Sequence, residues 1–193
     1  MNTSWLAGGR LRNGAARLAL GCAAWLGLGL ASGSVACTPK GGSPGASALP
    51  VTDHPLRGAP APDFDLKARG GAPANLRAHA GKIVLLDFWA TWCEPCRSSF
   101  PEYQALLARY GGAVAVLAIS EDDEEHGIDA FASEAGVRFP IAWDGEKAVA
   151  QRYRISSMPT LFIIDQSGLV RFVHAGFRPG DEAQVSAAVD SLL

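Results

Sequence analysis

The stretch that most restricts how this chain can fold runs from Ile83 to Arg97, IVLLDFWATWCEPCR. Its first seven residues are apolar except for Asp87. An apolar run of that length, free of polar alternation, reads as a strand buried on both faces. The segment after it reads as a helix, because Phe100, Tyr103, Leu106 and Leu107 recur at helical spacing. Pro95 falls in the first helical turn, where a missing N–H leaves no hydrogen bond unmade. Cys93 and Cys96 therefore sit where a buried strand turns into a helix.

The rest of the chain supplies partners for that strand. Residues 64–67 and 72–75 suit a short hairpin turned at Gly70-Gly71. Residues 114–119 form a second apolar run. Helices are expected over 128–135, 147–153 and 181–193, the last with Asp181 as its N-cap. Residues 139–143 read as extended. Residues 160–164 and 170–174 read as a hairpin turned at Gln166-Ser167-Gly168. The alternation predicts an α/β fold with a central mixed β-sheet flanked by helices on both faces.

The first 58 residues do not read as part of that fold. There is no acidic residue before Asp53, and Arg10, Arg12 and Arg17 precede a long uncharged stretch ending in SVAC. A basic segment, an apolar segment and small residues before a cut describe an export signal over 1–36. SVAC resembles a bacterial lipobox, with Ser34 in the place usually held by leucine, so Cys37 is the expected lipidation site. Ordinary cleavage nearby and a retained membrane anchor are the alternatives. Cys22 lies in the apolar segment as a small hydrophobe. Residues 37–58 are rich in Gly, Pro, Ser and Ala and read as a flexible tether, leaving 59–193 as the folded domain. From Cys37 onward acids outnumber bases, and no basic run is present. That is poor material for nucleic-acid binding.

With Cys37 acylated, Cys93 and Cys96 can only pair with each other or stay reduced. A disulfide closing so short a loop removes little chain entropy, which favours chemistry over architecture. At a helix N-terminus a Cys93 thiolate is stabilised by unpaired N–H groups and the helix dipole. Cys96 lies one turn on, near enough to bridge, and faces inward. Cys93 is thus the attacking thiol and Cys96 the resolving one. Asp87, interrupting a buried strand, should be desolvated with a raised pKa, and is the candidate proton acceptor for Cys96.

DFWATWCEPCR resembles the active-site segment of thioredoxin-fold proteins. The domain as a whole is similar to the membrane-tethered TlpA/ResA/CcmG group of thiol–disulfide oxidoreductases. APDFDL, FPIAWD and ISSMPTLFIIDQSGLV carry the likeness, and Pro101 is placed like the kink proline of the active-site helix. The resemblance implies a thioredoxin-like fold with an N-terminal β-hairpin extension. It implies a cis Pro159 facing the disulfide, and a client segment bound by Met158, Pro159 and Thr160 with Trp92 flanking. Trp89 fits either the site or the core. Many ResA-like members carry a glutamate three residues after the second cysteine, where this chain has Ser99. The carboxylate serving Cys96 is then expected from the strand, as Asp87.

Between the cysteines stand Glu94 and Pro95. Strong oxidants of this fold place a histidine there, which stabilises the thiolate; Glu94 has the opposite charge, so the pair should be reducing. No cofactor beyond the cysteine pair is implied. The implied partners are oxidised exported proteins, apocytochrome c among them, and a membrane electron donor of the CcdA/DsbD type. The expected location is the periplasmic side of a membrane. Rival readings are a copper-binding module of related fold, a disulfide-forming oxidase and a thiol peroxidase. None of His54, His79, His126 and His174 sits in a ligand-spaced motif. His54 falls in the tether and His174 reads as a strand surface residue. EDDEEH, residues 121–126, reads as a solvated loop leading into a helix, with a docking patch for a basic client as the alternative.

Overall fold

The computed structural model describes residues 53–193. The export signal, Cys22, Cys37 and the tether up to residue 52 lie outside the described residues. The elements, in chain order, begin with a hairpin of β1 (Leu66–Lys67) and β2 (Pro73–Ala74). Gly70 and Gly71 at its turn both have positive φ, which glycine adopts without steric cost. There follow β3 (Ile83–Trp89), α1 (Glu94–Tyr110), β4 (Val114–Ser120), α2 (Ile128–Glu134) and β5 (Ile141–Trp143). The chain ends with α3 (Ala148–Tyr153), β6 (Thr160–Ile164), β7 (Val170–Ala175) and α4 (Asp181–Asp190).

The five longer strands form one mixed sheet in the order β5-β4-β3-β6-β7. β3 runs parallel to β4, and β4 to β5, while β6 is antiparallel to both β3 and β7. Strand alternation sends β3 side chains into two cores. Ile83, Leu85 and Trp89 join Cys96, Phe100, Tyr103, Phe131, Val185 and Val189 beneath α1, α2 and α4. Val84, Leu86 and Phe88 join Phe64, Val149, Tyr153 and Phe162 beneath α3. Every residue of β3 is buried, so both faces are covered as its composition requires. β3 is also the central strand, which places the chain segment leaving its C-terminal end over the middle of the sheet.

Contacts with the sheet also come from residues ahead of Ala59. Gly58 N–H donates to Val170 O at 2.7 Å, and the His54 ring packs edge-on against Phe162. Two expectations are corrected. Asp181 is not the N-cap of α4; Gly180 holds that position. The Asp181 carboxylate instead accepts from Arg178 N–H at 2.8 Å and lies 2.9 Å from His174 Nε2. His174 is therefore no surface residue and is only 4% exposed. Its strand position opposite Leu161 turns it toward the face that α1 and α4 cover.

Candidate active site

Cys93 and Cys96 are joined as a disulfide with a Cα–Cα distance of 5.3 Å. Cys93 is the N-cap of α1 and Pro95 lies in its first turn. Cys96 N–H donates to Cys93 O at 3.1 Å, so the first turn of the helix itself sets the spacing between the sulfurs. Cys96 is fully buried and Cys93 nearly so, whereas the adjacent Trp92 is 69% exposed. Trp89 belongs to the core, meeting Phe100 edge-on and Phe131 at a tilt, at centroid distances of 4.8 and 4.6 Å. Glu94 is exposed beside the pair. Pro101 sits inside α1, where its absent N–H leaves Arg97 O without the usual helical donor.

Asp87 lies on the same face of β3 as Trp89, in the wall against which α1 packs, and has no exposure. Tyr103 donates to its Oδ1 at 3.3 Å, and Oδ2 has no partner. Burial pushes the Asp87 carboxyl well above its usual range; the bond from Tyr103 pulls it part of the way back. Ser99, three residues after Cys96, is buried and donates to Cys96 O at 3.0 Å. α1 thus carries a hydroxyl and a phenol on the face that buries Cys96.

The Met158–Pro159 peptide is cis. Met158 packs against the core cluster that contains both cysteines. Thr160 is placed differently from Met158. It is buried, and its hydroxyl is committed to Ser157 O at 2.7 Å, so it holds the turn of the motif rather than facing outward.

The run 121–126 is a solvated loop only over its last four residues. Asp123, Glu124, Glu125 and His126 are exposed, and Glu125 pairs with Arg69 at 2.7 Å. Glu121 and Asp122, however, are 7% and 5% exposed. The Asp122 carboxylate accepts from Thr91 N–H at 3.0 Å and from the hydroxyls of Thr91 and Ser120, both at 2.7 Å. It thereby ties down the segment that carries Trp92 and leads into Cys93. Glu121 N–H donates to Trp89 O at 2.8 Å, while its Oε1 has no partner. Lys147 covers this turn from beyond β5, donating to Glu121 O and Asp122 O at 2.6 Å each. Asp144 caps α3, accepting from the N–H groups of Ala148, Val149 and Ala150.

Among the described residues no group of three His, Cys, Asp or Glu side chains is arranged to hold a metal ion, and no helix is long and apolar enough to cross a membrane. Three residues at the site escaped the sequence reading. Tyr103 had a signal, since positions 96, 99 and 103 share one helical face. His174 also had one, in the alternation along its strand. Asp122 had none, because its role depends on the approach of two loops distant in sequence.

The family model of the AhpC/TSA family matches residues 57–173. The thioredoxin-like protein YneN of Bacillus subtilis is 37% identical over 136 residues, covering 69% of this chain and 79% of that protein. The thiol–disulfide oxidoreductase ResA of Bacillus subtilis is 35% identical over 121 residues, covering 62% of this chain and 67% of its own. Among solved structures, a chain described as the thiol:disulfide interchange protein DsbE from Chlorobium tepidum superposes with a TM-score of 0.64 at 36% identity, over 69% of this chain and 97% of that one. The pneumococcal exposed lipoprotein thioredoxin from Streptococcus pneumoniae gives 0.57 at 26% identity, over 68% and 100%.

Proposed function

The chain belongs to the AhpC/TSA family and, within it, to the thiol–disulfide oxidoreductases of the TlpA/ResA/CcmG type, and from that premise we propose that it works outside the cytoplasm, reducing disulfides in exported proteins. The observation that carries this reading is the Cys93–Cys96 disulfide at the start of α1, with its inner sulfur buried and a desolvated carboxyl on the strand behind. The Cys93 thiolate attacks a client disulfide and forms a mixed disulfide. Cys96 then gives its proton to Asp87 and attacks the Cys93 sulfur. The Cys93–client bond breaks, the client leaves with both its cysteines reduced, and the Cys93–Cys96 pair is oxidised by two electrons. Exposed Trp92, with Met158 and the cis Pro159, receives the client segment. Glu94 disfavours the thiolate at Cys93 and with Pro95 keeps the pair reducing.

A reductase in an oxidising compartment must be recharged, which calls for a membrane donor of the CcdA/DsbD type. Clients include apocytochrome c, whose paired haem-attachment cysteines are a dithiol of the same kind. Lipidation at Cys37 holds the domain at the membrane through the segment that follows it; the likeness to an exposed lipoprotein thioredoxin supports this arrangement.

The test is the reduction potential of the Cys93–Cys96 pair in the full-length protein, equilibrated in dithiol buffers and scored by alkylation. A midpoint below roughly −230 mV lies on the glutaredoxin-to-thioredoxin side of the scale and supports a reductase. A midpoint near about −120 mV, the value of a dedicated oxidant, overturns the direction. Failure to show a two-electron transition would move the assignment to metal binding.

A further inference from the structure

We propose that Tyr103 is the positioning residue that sets when Asp87 can accept a proton, and that it thereby controls the step in which Cys96 closes the disulfide. The inference rests on the reading of Asp87 as that acceptor. Cys96, Ser99 and Tyr103 lie on one face of α1 and are 0%, 0% and 1% exposed. Among the described residues, Tyr103 is the single side chain that donates to Asp87, at 3.3 Å, and the other carboxylate oxygen is buried without a partner. A charged carboxylate has room for several donors. With one, its charge against burial depends on that bond.

The surroundings leave this control to the phenol. On either side of Asp87 across the sheet stand Ala118 and Leu161, both uncharged. Cys96 and Ser99 come from α1, and the Ser99 hydroxyl is turned to Cys96 O. Beyond Leu161, β7 presents His174, which is paired with Asp181 of α4. Burial first, then the charge of Asp87, holds the Tyr103 phenol well above its ordinary range; a hydrogen-bonding interaction with Ser99 opposes the rise without cancelling it, so the phenol stays protonated and remains a donor. Because Tyr103 and Cys96 share one helix, the donor and the thiol are held in a fixed relation. The acceptor is thus a strand carboxylate governed by a helix phenol.

In the step concerned the Cys96 S–H proton passes to Asp87. The sulfur electron pair forms the bond to Cys93, and the Cys93–client bond breaks to release the client thiolate. Removing the phenol oxygen raises the proton affinity of Asp87, so the carboxylate form is reached only at higher pH.

The experiment follows the oxidation of the reduced full-length protein by oxidised glutathione between pH 5 and 9. Samples are acid-quenched and mass-resolved so that the glutathione–Cys93 intermediate and the closed disulfide are counted separately. Tyr103→Phe should move the acid limb of the second step upward by about one pH unit, the worth of a hydrogen bond to a charged group, with a slowing of about tenfold below it. Site-specific 3,5-difluorotyrosine at position 103, a stronger donor of nearly the same shape, should move the limb downward. Opposite shifts support the proposal, since altered packing has no reason to follow donor strength. Limbs that stay in place, or that move the same way for both replacements, overturn it. Asp87→Asn separates the two readings. If it removes the limb while the Tyr103 replacements leave it unmoved, the acceptor stands and the control by Tyr103 falls. If the limb survives in Asp87→Asn, both fall. Should Tyr103→Phe not fold, the fluorinated protein decides alone.

Discussion

Replacing Glu121 by glutamine should make the protein more stable, and increasingly so as the pH rises. The side chain is 7% exposed, with Oε1 buried and unpartnered. Burial is the main cause that pushes its carboxyl from the ordinary 4.5 up to about 8. Asp144 and Asp122 add to the rise, and the Lys147 ammonium opposes it. A carboxyl raised in the folded state contributes fully below its unfolded pKa. That contribution is lost as pH climbs through the folded value, because the unfolded chain ionises more readily. The window is therefore pH 4.5 to about 8. At about 1.4 kcal/mol per pH unit, the ceiling on the loss is about 5 kcal/mol. Water entry and relaxation around a site at the end of a strand reduce this, and about 2 kcal/mol is the expected difference. Glutamine has nearly the shape of the protonated acid but does not ionise. Urea unfolding of the oxidised full-length protein and its Glu121→Gln variant should give similar stabilities near pH 5. By pH 9 the variant should lead by about 2 kcal/mol. Other titrating groups are common to both proteins and cancel in the difference. Stability curves that stay parallel from pH 5 to 9 would refute the reasoning.

Two further outcomes follow from the site. Asp122→Ala removes the acceptor for Thr91 N–H and for the hydroxyls of Thr91 and Ser120. Leaving buried donors unpaired should cost about 1–3 kcal/mol in urea unfolding. It should also slow disulfide exchange at Cys93 several-fold as the Trp92 segment loosens; unchanged exchange in a destabilised variant would confine Asp122 to a purely structural role. Cys96→Ser should hold clients as mixed disulfides on Cys93 that dithiothreitol releases and that Cys93→Ser does not form. Equal capture by both variants would reverse the assignment of attacking and resolving thiols.

The legible parts of this molecule are those whose cause is local. An apolar run without alternation demands cover on both faces, and β3 has it. A proline two residues after a cysteine marks the first turn of a helix, and α1 begins there. Apolar spacing along α1 locates its inner face, so burial of Cys96 and Phe100 could be read directly. The Asp181 expectation failed because a short acidic residue ahead of a helix looks like a cap whether or not a buried histidine waits across the fold. The 121–126 run misled for a related reason. Its six residues look alike in sequence, and only contact with Thr91, Ser120 and Lys147 separates the buried pair from the exposed remainder.

Sequence alone determined the layering of a mixed sheet between helices, the position of the cysteine pair at a helix start, and the burial of Cys96 and Asp87. Each follows from neighbours within a few residues along the chain, where periodicity and backbone chemistry act. Tertiary structure alone decided which donor reaches Asp87, which acid braces the Trp92 segment, and that His174 and Asp181 meet. Those pairings join residues separated by 16, 31 and 7 positions, across elements whose relative placement is set by packing the whole sheet. Hydrogen-bond geometry tolerates errors of only a few tenths of an ångström, a precision that no local pattern carries.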